Sequence, residues 1–283
     1  MNPTLHTQLA ESVERIRSAG TYKELRPIGG PMRPHVTMAD GREVFLMCAN
    51  NYLGLADHPD VVAAGKAALD DYGAGTASVR FICGTFTPHV ELERALADFF
   101  GTEAALSYVS CWNANEGVIP TIVGPEDALF TDELNHASLI DAMRLARKTP
   151  RHIYKHADMA DLDAKLKEGS SARRKLVVTD GVFSMEGDLA PLDDIVELAR
   201  KHDAAVLVDD SHGTGVLGKT GRGTAEHFGV ENEIDILTST LGKALGGAAG
   251  GFVASSRAVI ETLVQTSRPQ LFSNALPPTV AAS

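Results

Sequence analysis

The stretch Ala204-Ala205-Val206-Leu207-Val208-Asp209-Asp210-Ser211-His212 tells most about how this chain folds. Its five consecutive apolar residues suit a strand buried on both faces, and such strands occur in parallel sheets covered by helices. Two acids, a serine and a histidine follow where the strand must end. Because ligands bind beyond the carboxyl ends of parallel strands, polar side chains in this position predict a binding site.

The same alternation of apolar runs and helical patterns extends along the chain in both directions. It predicts strands at 44–49, 104–109, 128–131, 152–154, 176–179, 205–208, 234–238 and 251–254, and helices at 4–19, 59–72, 89–100, 138–147, 159–167 and 191–202. This order favours an α/β fold, with a mainly parallel sheet covered by helices on both faces. Residues 1–45 are expected to form an N-terminal helix and linker arm, and residues 46–283 a large domain.

Lys243 lies in the segment Ser239-Thr240-Leu241-Gly242-Lys243-Ala244-Leu245-Gly246-Gly247, which holds small residues and no acid. This setting favours an amine placed against a ligand over a solvated charge. Together with Asp209 it fits a Schiff-base lysine whose partner carboxylate holds a pyridinium nitrogen, the arrangement that binds pyridoxal 5'-phosphate. A surface lysine in a glycine-rich loop beside an ordinary strand-end acid is the plain alternative, because short motifs often mislead.

Asp209 and His212 are three residues apart, just past the strand end. One of them can address a ring nitrogen while the other addresses the neighbouring phenolic oxygen. A carboxylate keeps the pyridine nitrogen protonated, which makes the ring an electron sink. Asp210 competes for this role, but the alternation of side chains along a strand turns it to the other face.

Three further segments place polar residues after apolar strands. Ser110 precedes a predicted helix start at Cys111 and Trp112, whose N–H groups could cradle a phosphate or simply form a strand-to-helix turn. His136 opens another helix, so it could lie flat on an aromatic ring or only cap that helix. Ser184 follows the strand at 176–179 and could donate to a ring oxygen or be a turn serine.

Composition excludes several classes of partner. The 283 residues are 44% hydrophobic and carry a formal net charge of -11, which argues against nucleic acid or an anionic membrane as partner. Three scattered cysteines without metal-ligand spacing predict reduced thiols and no metal site. The N-terminus lacks a signal-peptide pattern and no run is long enough to span a membrane, so a soluble, cytoplasmic protein is expected.

One motif points to a different chemistry. Gly213-Thr214-Gly215-Val216-Leu217-Gly218-Lys219-Thr220 follows a strand and satisfies the Walker A pattern. The mechanism of that motif needs its lysine and threonine to begin a helix, whereas Gly221-Arg222-Gly223 is a poor helix start. A P-loop nucleotide binder is therefore the runner-up hypothesis.

Taken in order, these segments resemble the α-oxoamine synthases, a pyridoxal-phosphate family with the fold of aspartate aminotransferase, fold type I. Cys48–Leu55, Asp180–Gly187 and Thr240–Gly247 match family-wide, whereas Ala77–Thr85 and Ser267–Asn274 are more selective. The resemblance implies an acyltransferase that reversibly condenses glycine with acetyl-CoA to 2-amino-3-oxobutyrate and CoA, as in threonine degradation to glycine. A synthase resembling those that make 8-amino-7-oxononanoate is the alternative within the family.

The resemblance also implies a role for each site residue. Lys243 would carry the cofactor and act as the base, Asp209 would hold the pyridine nitrogen, and His136 would stack on the ring. His212 and Ser184 would bond the ring oxygen. Thr240, Ser110 and the backbone of Cys111 and Trp112 would bind the phosphate. In a homodimer, Ser273 and Asn274 would bind the phosphate of the partner subunit. Asn50 or Asn51 would lie near the substrate.

The chain departs from the family pattern at two places. Trp112 stands where the family has phenylalanine. The family also continues past Ser283 into a small C-terminal domain that supplies an arginine for the substrate carboxylate, and on this resemblance we expect that domain to be missing. The expected consequence is feeble activity or an inactive remnant, unless Arg80 or Arg268 anchors the carboxylate instead.

Overall fold

The structure is a computed structural model that describes residues 2–283 in two compact units, which meet in sequence between Cys48 and Ala49. The first unit contains helix α1 (Pro3–Ser18), none of whose residues is buried, and the antiparallel strands β1 (His35–Thr37) and β2 (Glu43–Phe45). The strand predicted at 44–49 is wrong in its extent. The strand ends at Phe45, because Pro34 accepts the N–H of Leu46 at 2.7 Å but has no N–H of its own to continue the ladder.

A single seven-stranded sheet forms the centre of the second unit. Its strands are β3 (Ala104–Tyr108), β4 (Ala128–Asp132), β5 (Arg151–Tyr154), β6 (Lys175–Asp180), β7 (Ala205–Asp209), β8 (Ile236–Thr240) and β9 (Gly251–Ser255). Their spatial order is β3-β9-β8-β7-β6-β4-β5, and β9 alone runs antiparallel to its neighbours. The sheet is therefore mainly parallel, as the sequence predicts.

Helices surround this sheet. They are α2 (Pro59–Tyr72), α3 (Thr87–Phe100), α4 (Cys111–Ile122), α5 (Ala137–Leu145), α6 (Met159–Glu168), α7 (Leu192–His202), α8 (Thr224–Phe228), α9 (Arg257–Thr266), α10 (Arg268–Phe272) and α11 (Pro278–Ala282). Two 3-10 turns, Leu55–Asp57 and Glu231–Glu233, and a π-helix at Arg80–Gly84 complete the set. No helix among residues 2–283 combines the length and the apolar character needed to cross a membrane.

Alternate residues of each strand enter two separate cores, one on each face of the sheet. Phe130 packs in the core that contains residues of α3, α6 and α7, whereas Leu129 packs in the core that contains residues of α4, α5 and α9. Both side chains are fully buried, and truncating one such residue to alanine costs roughly 2–5 kcal/mol. Helices thus cover both faces, which confirms the predicted α/β architecture.

Apart from the end of β2, the predicted boundaries lie within two residues of those observed. Strand β8 begins at Ile236 rather than at 234, because Asp235 turns its carboxylate to the N–H of Val206 at 2.7 Å. Pro191 is the N-cap of α7 rather than its first residue. Helices α8 to α11 were not predicted, since three of them are only five residues long and show little periodicity.

Candidate active site

A cavity of about 170 Å³ lies at the carboxyl ends of the parallel strands. Strands β6, β7 and β8 end there in Asp180, Asp209 and Thr240. The fold brings nine of the predicted site residues to this cavity: Ser110, Cys111, Trp112, His136, Ser184, Asp209, His212, Thr240 and Lys243. Separate strand ends and loops supply them, because parallel strands all present their carboxyl ends at one edge of the sheet.

Larger cavities lie elsewhere in the second unit, among them the following two. One of about 630 Å³ is found at the opposite edge of the sheet, beside the amino ends of β6 and β8. The other, of about 460 Å³, has mostly apolar walls between α3 and the loop after Lys243. By volume alone, these cavities would be the preferred candidates for a binding site. The smaller cavity is nevertheless the one lined by Asp180, Asp209, His136, His212 and Lys243.

Lys243 directs its amine into this cavity against His212. The Nζ atom lies 2.7 Å from Nε2 of His212, whose Nδ1 lies 2.7 Å from the hydroxyl of Tyr52. Burial lowers the pKa of Lys243, although Asp209 opposes that shift. Burial, helped by the neighbouring lysine, also lowers the pKa of His212, to about 4. Near neutral pH the imidazole is therefore neutral and accepts a hydrogen bond from the amine through Nε2.

The carboxylate of Asp209 is buried and is held by donors on both of its oxygens. Ser211 donates to Oδ1 from its hydroxyl at 2.6 Å and from its N–H at 3.1 Å. Asn115 donates to Oδ2 from its side-chain amide at 2.7 Å, and the thiol of Cys111 lies 3.6 Å from the same oxygen. These donors offset part of the cost of burying the charge, because buried carboxylates require hydrogen-bond partners.

Asp180 is a second acid at this edge, paired in register with Asp209 on the neighbouring strand. Burial and the negative charge of Asp209 raise the pKa of Asp180 well above its ordinary value. Its Oδ2 accepts the N–H of His136 at 2.6 Å, which fixes the start of α5 beside the cavity. Burial and Asp209 likewise raise the pKa of the Cys111 thiol, so that thiol stays protonated near neutral pH.

Asp210 turns away from the cavity, as the alternation along β7 predicts. Its carboxylate accepts the N–H of Thr224 at 3.0 Å and the hydroxyl of Thr214 at 3.3 Å. Thr224 begins α8, which packs in the core that contains residues of α3, α6 and α7. Burial raises the pKa of Asp210 to about 7. Adjacent acids therefore have different environments, because they point to opposite faces of the sheet.

The amino terminus of α4 opens at the cavity. Ser110 caps it by accepting the N–H of Asn113 at 3.1 Å, and the first turn contains no acidic residue. The partial positive charge of a helix start is therefore available to an anion. Trp112 donates its indole N–H to Glu116 at 2.9 Å and meets the ring of His136 edge-on at 6.0 Å.

The P-loop alternative lacks its structural context. Lys219 and Thr220 lie in turns, and the next helix begins at Thr224. The carboxylate of Glu226 accepts the N–H groups of Thr220 and Arg222 at 3.0 and 2.9 Å. An acid thus binds the backbone donors that a phosphate would need.

Four predicted residues lie outside the cavity. Asn50 is linked to it, because its Oδ1 accepts the hydroxyl of Tyr52 at 3.2 Å. Asn51 instead accepts the N–H of Ala56 at 3.1 Å. Ser273 and Asn274 follow α10 and line a small separate cleft.

The two arginines considered as carboxylate anchors are also outside the cavity. Arg80 forms a partly buried ion pair with Glu93 at 2.6 Å and donates to the hydroxyl of Ser107 at 3.1 Å. Arg268 places its guanidinium 5.2 Å from the ring centroid of Phe272. Neither lines the cavity, so the structure does not support the anchoring role suggested for them.

The sequence analysis missed several residues that shape the site, among them Tyr52, Asn115 and Ser138. Asn115 could have been found from its spacing, because it lies four residues after Cys111 and so on the same face of α4. Ser138 lies in the first turn of α5, where a serine usually indicates only a helix start. Tyr52 reaches His212 over 160 residues, and no local pattern predicts that contact.

Comparisons with known proteins bear on the family of this chain. A family model described as aminotransferase class I and II matches residues 42–283. The 2-amino-3-ketobutyrate coenzyme A ligase of Escherichia coli (strain K12) is 50% identical over 285 residues, covering 100% of this chain and 71% of the relative. The 8-amino-7-oxononanoate synthase of Symbiobacterium thermophilum is 51% identical over 276 residues, covering 97% of this chain and 70% of the relative.

A solved structure shares the fold as well as part of the sequence. The high-resolution structure of SPT with PLP internal aldimine superposes with a TM-score of 0.90 at 36% identity. The match covers 97% of this chain and 69% of that one. These similarities confirm the family and the fold that the sequence analysis predicts.

Proposed function

This chain belongs to the aminotransferase class I and II family, and we propose that it is a pyridoxal-phosphate-dependent acyltransferase that condenses glycine with acetyl-CoA. The products are 2-amino-3-oxobutyrate and CoA, and the reaction is reversible. The observation that carries the proposal is the amine of Lys243, held against neutral His212 in a cavity that is also lined by Asp209. The name and the 50% identity of the Escherichia coli relative support the choice of substrates.

The residues that line the cavity fit the cofactor. Lys243 offers an amine with a lowered pKa for covalent attachment, and Asp209 offers a buried carboxylate for a protonated ring nitrogen. The acid-free start of α4, together with Thr240, suits a phosphate group. Ser184 and His212 offer hydrogen-bonding groups for a ring oxygen, and the imidazole of His136 lines the same cavity.

When bound, pyridoxal 5'-phosphate supplies an electron sink for the carbanion formed at the glycine Cα. With the cofactor bound, Lys243 would be the base that removes the Cα proton, and its lowered pKa increases the fraction of free amine available for this role. His212 contacts that amine through Nε2 at 2.7 Å and so orients it. The carboxylate of Asp209 lines the same cavity and would favour a proton on the ring nitrogen.

Tyr52 extends the hydrogen-bond chain away from the amine. With Lys243 donating to Nε2 of His212, the imidazole proton lies on Nδ1 and is donated to the Tyr52 hydroxyl, which donates to Asn50. Burial raises the pKa of Tyr52, so the phenol stays protonated and can occupy this place in the chain. We propose that Asn50 contacts the substrate, because this hydrogen-bond chain links it to the cavity, whereas Asn51 accepts a backbone N–H from Ala56.

The proposal includes a homodimer with shared active sites. Phe81 and Ile82 on the π-helix and Phe272 at the end of α10 are 61%, 69% and 72% exposed. Backbone contacts join the segments next to these side chains: Val79 forms a β-bridge with Asn274, and the N–H of Ala275 donates to the carbonyl of Ser78. Exposed apolar side chains clustered in this way mark interaction surfaces. A second copy seated there would receive Ser273 and Asn274 beside its phosphate site.

We also place the reaction in threonine degradation to glycine and the protein in a reducing compartment such as the cytoplasm. The latter rests on three free cysteines, Cys48, Cys83 and Cys111. A second candidate function is the synthesis of 8-amino-7-oxononanoate, which the 51% identity to the Symbiobacterium thermophilum relative favours. Turnover of acetyl-CoA against longer acyl-CoA thioesters separates the two reactions.

The test combines borohydride trapping of the cofactor with an activity assay. The purified protein is supplied with pyridoxal 5'-phosphate, treated with borohydride and digested, and the peptide that carries the reduced cofactor is identified. We expect attachment at Lys243, together with release of free CoA thiol that depends on both glycine and acetyl-CoA. Attachment at another lysine would refute the site, and attachment at Lys243 with turnover only of longer acyl thioesters would favour the second candidate.

A further inference from the structure

Asn115 is a fully buried amide on α4 that the proposed chemistry does not use directly. It is 0% exposed and does not line the cavity, yet it contacts three residues that do, Cys111, Ser138 and Asp209. Its Nδ2 lies 2.7 Å from Oδ2 of Asp209 and 2.9 Å from Oγ of Ser138. Its Oδ1 accepts the hydroxyl of Thr238 at 2.8 Å. Every hydrogen-bonding atom of this side chain is therefore engaged inside the protein.

The directions of these hydrogen bonds follow from the chemistry of the groups. A carboxylate can only accept, so the amide NH₂ of Asn115 must face Asp209 and its carbonyl must face Thr238. The second amide hydrogen is donated to Ser138. The hydroxyl of Ser138 then donates its hydrogen to Nδ1 of His136 at 2.8 Å. The N–H of Ser138 donates to the same nitrogen at 3.2 Å. Nδ1 is thus an acceptor, which places the proton of the neutral ring on Nε2.

We infer that Asn115 is a positioning residue. Through one hydrogen-bond network it orients the Asp209 carboxylate, which would face the ring nitrogen of the cofactor, and the His136 imidazole, which would lie beside the ring. The inference rests on the proposed function, because it assigns Asp209 and His136 their roles toward pyridoxal 5'-phosphate. Asn115 reaches Asp209 directly and His136 through Ser138. Thr238, on the strand next to Asp209, sets the orientation of the amide.

A neutral amide suits this position better than a cation would. An arginine or lysine beside Asp209 would neutralise the carboxylate and compete with the ring nitrogen for it. The amide instead orders Oδ2 while leaving the negative charge in place, and Ser211 orders Oδ1 from the other side. Donors from two separate elements therefore restrict rotation of the carboxylate. Preorganisation of this kind is most effective in a buried site, where no water reorients with the charge.

The test measures cofactor binding and ring protonation, in addition to turnover. Trp112 is the sole tryptophan and lines the cavity, so its quenching reports pyridoxal 5'-phosphate binding to the apoprotein. The ¹⁵N chemical shift of ring-labelled cofactor reports the proton on its nitrogen. We expect Asn115→Ala to raise the Kd about tenfold or more, as loss of a hydrogen bond to a charged group predicts, and to move the ¹⁵N shift toward the unprotonated value.

Matched valine variants separate positioning from mere stability. Thr238→Val removes the hydroxyl that orients Asn115, whereas Thr149→Val removes a buried hydroxyl bonded to the carbonyl of Gly124 at 3.0 Å, away from the cavity. Both should lower the Tm, but only Thr238→Val should weaken cofactor binding, by about threefold, and change the ¹⁵N shift.

Several outcomes would overturn the inference. Wild-type Kd and ¹⁵N shift in a folded Asn115→Ala protein would do so. If that variant does not fold, unchanged values in Thr238→Val serve the same purpose, as would equal changes in Thr238→Val and Thr149→Val. A wild-type protein that does not bind the cofactor would instead refute the proposed function, and the inference with it.

Discussion

At the scale of single residues, burial prepares Lys243 for chemistry. Its amine lies in a cavity shared with Asp209 and His212, and the loss of hydration there disfavours the ammonium form. Lys219, the other lysine that a sequence motif singles out, lies in turns and does not line the cavity. The two lysines therefore make a matched pair for experiment.

We expect Lys243→Ala to abolish borohydride-stable attachment of pyridoxal 5'-phosphate while leaving the fold intact, because the loop loses only an amine. Lys219→Ala should keep wild-type attachment. Mass spectrometry of the reduced, digested proteins measures both, and circular dichroism checks the fold. A modified peptide persisting in Lys243→Ala would show that another lysine carries the cofactor.

Asp209 and Asp210 provide a second matched pair, adjacent in the sequence but with side chains on opposite faces of the sheet. We expect Asp209→Asn to bind cofactor but to slow Cα proton removal by 10²-fold or more, since an amide cannot stabilise the protonated ring nitrogen, and each lost 1.36 kcal/mol is a factor of about ten. Asp210→Asn should be far milder, because that side chain faces Thr224. Exchange of the glycine Cα proton with solvent deuterium measures this step. Equal losses in the two variants would contradict the assignment.

At the scale of elements, β9 must pass close beneath the start of α4. A Cβ atom at Gly251 would lie within 2.2 Å of the backbone nitrogen of Cys111, so only glycine permits this approach. The contact places the helix amino terminus over the end of the sheet, where the cavity forms. A glycine on one strand therefore determines where an anion can bind on a helix.

A histidine tethers the loop that carries Ser184. His156 follows β5 and contacts Asp132 at 3.0 Å and Asp188 at 3.4 Å, while its ring meets Phe183 edge-on at 4.5 Å. Burial lowers the pKa of His156, but the hydrogen bonds and charges of the two acids outweigh it, so the net shift is upward from 6.5. Because the folded protein holds this proton more tightly, the stabilisation is complete below pH 6.5 and is lost as the pH rises through the folded-state pKa.

We therefore expect His156→Gln to lower the free energy of unfolding at pH 6 by about 1 kcal/mol more than at pH 9, since partly exposed ion pairs contribute on this scale. Urea denaturation at the two pH values measures the difference. His6→Gln, on the exposed helix α1, is the control and should show no such dependence. A pH-independent effect of His156→Gln would mean that the ring acts by packing on Phe183 alone.

At the scale of the whole molecule, the active site is proposed to need two copies of the chain. Ser273 and Asn274 do not line the cavity of their own chain, and they directly follow Phe272, whose side chain is exposed. If they complete the phosphate site of a partner, no monomer has a complete site. Subunit mixing can reveal such sharing.

We expect inactive Lys243→Ala subunits mixed with Ser273→Ala/Asn274→Ala subunits to regain about a quarter of wild-type activity. Random pairing makes half of the dimers mixed, and each mixed dimer has one site with both the lysine and the phosphate contacts intact. Lys243→Ala mixed with a second batch of itself is the control. Sedimentation as a monomer, or no recovery after verified exchange, would argue against shared sites.

The sequence by itself determined the α/β fold and most of the cavity. Apolar runs at strand spacing predicted the sheet, and polar residues at strand ends predicted its active edge, because both are local consequences of strand geometry. Alternation along β7 was enough to separate Asp209 from Asp210. The short helices α8, α10 and α11 escaped prediction, because five residues carry too little periodicity.

Only the tertiary structure decided which distant side chains meet. Tyr52 reaches His212, and Thr238 orients Asn115, which holds Asp209, across separations of 94 residues or more. Arg80 forms an ion pair with Glu93 and does not line the cavity. Such partners depend on how loops and helices pack in three dimensions. A hydrogen bond constrains two atoms within about 3 Å but leaves no periodic trace along the chain.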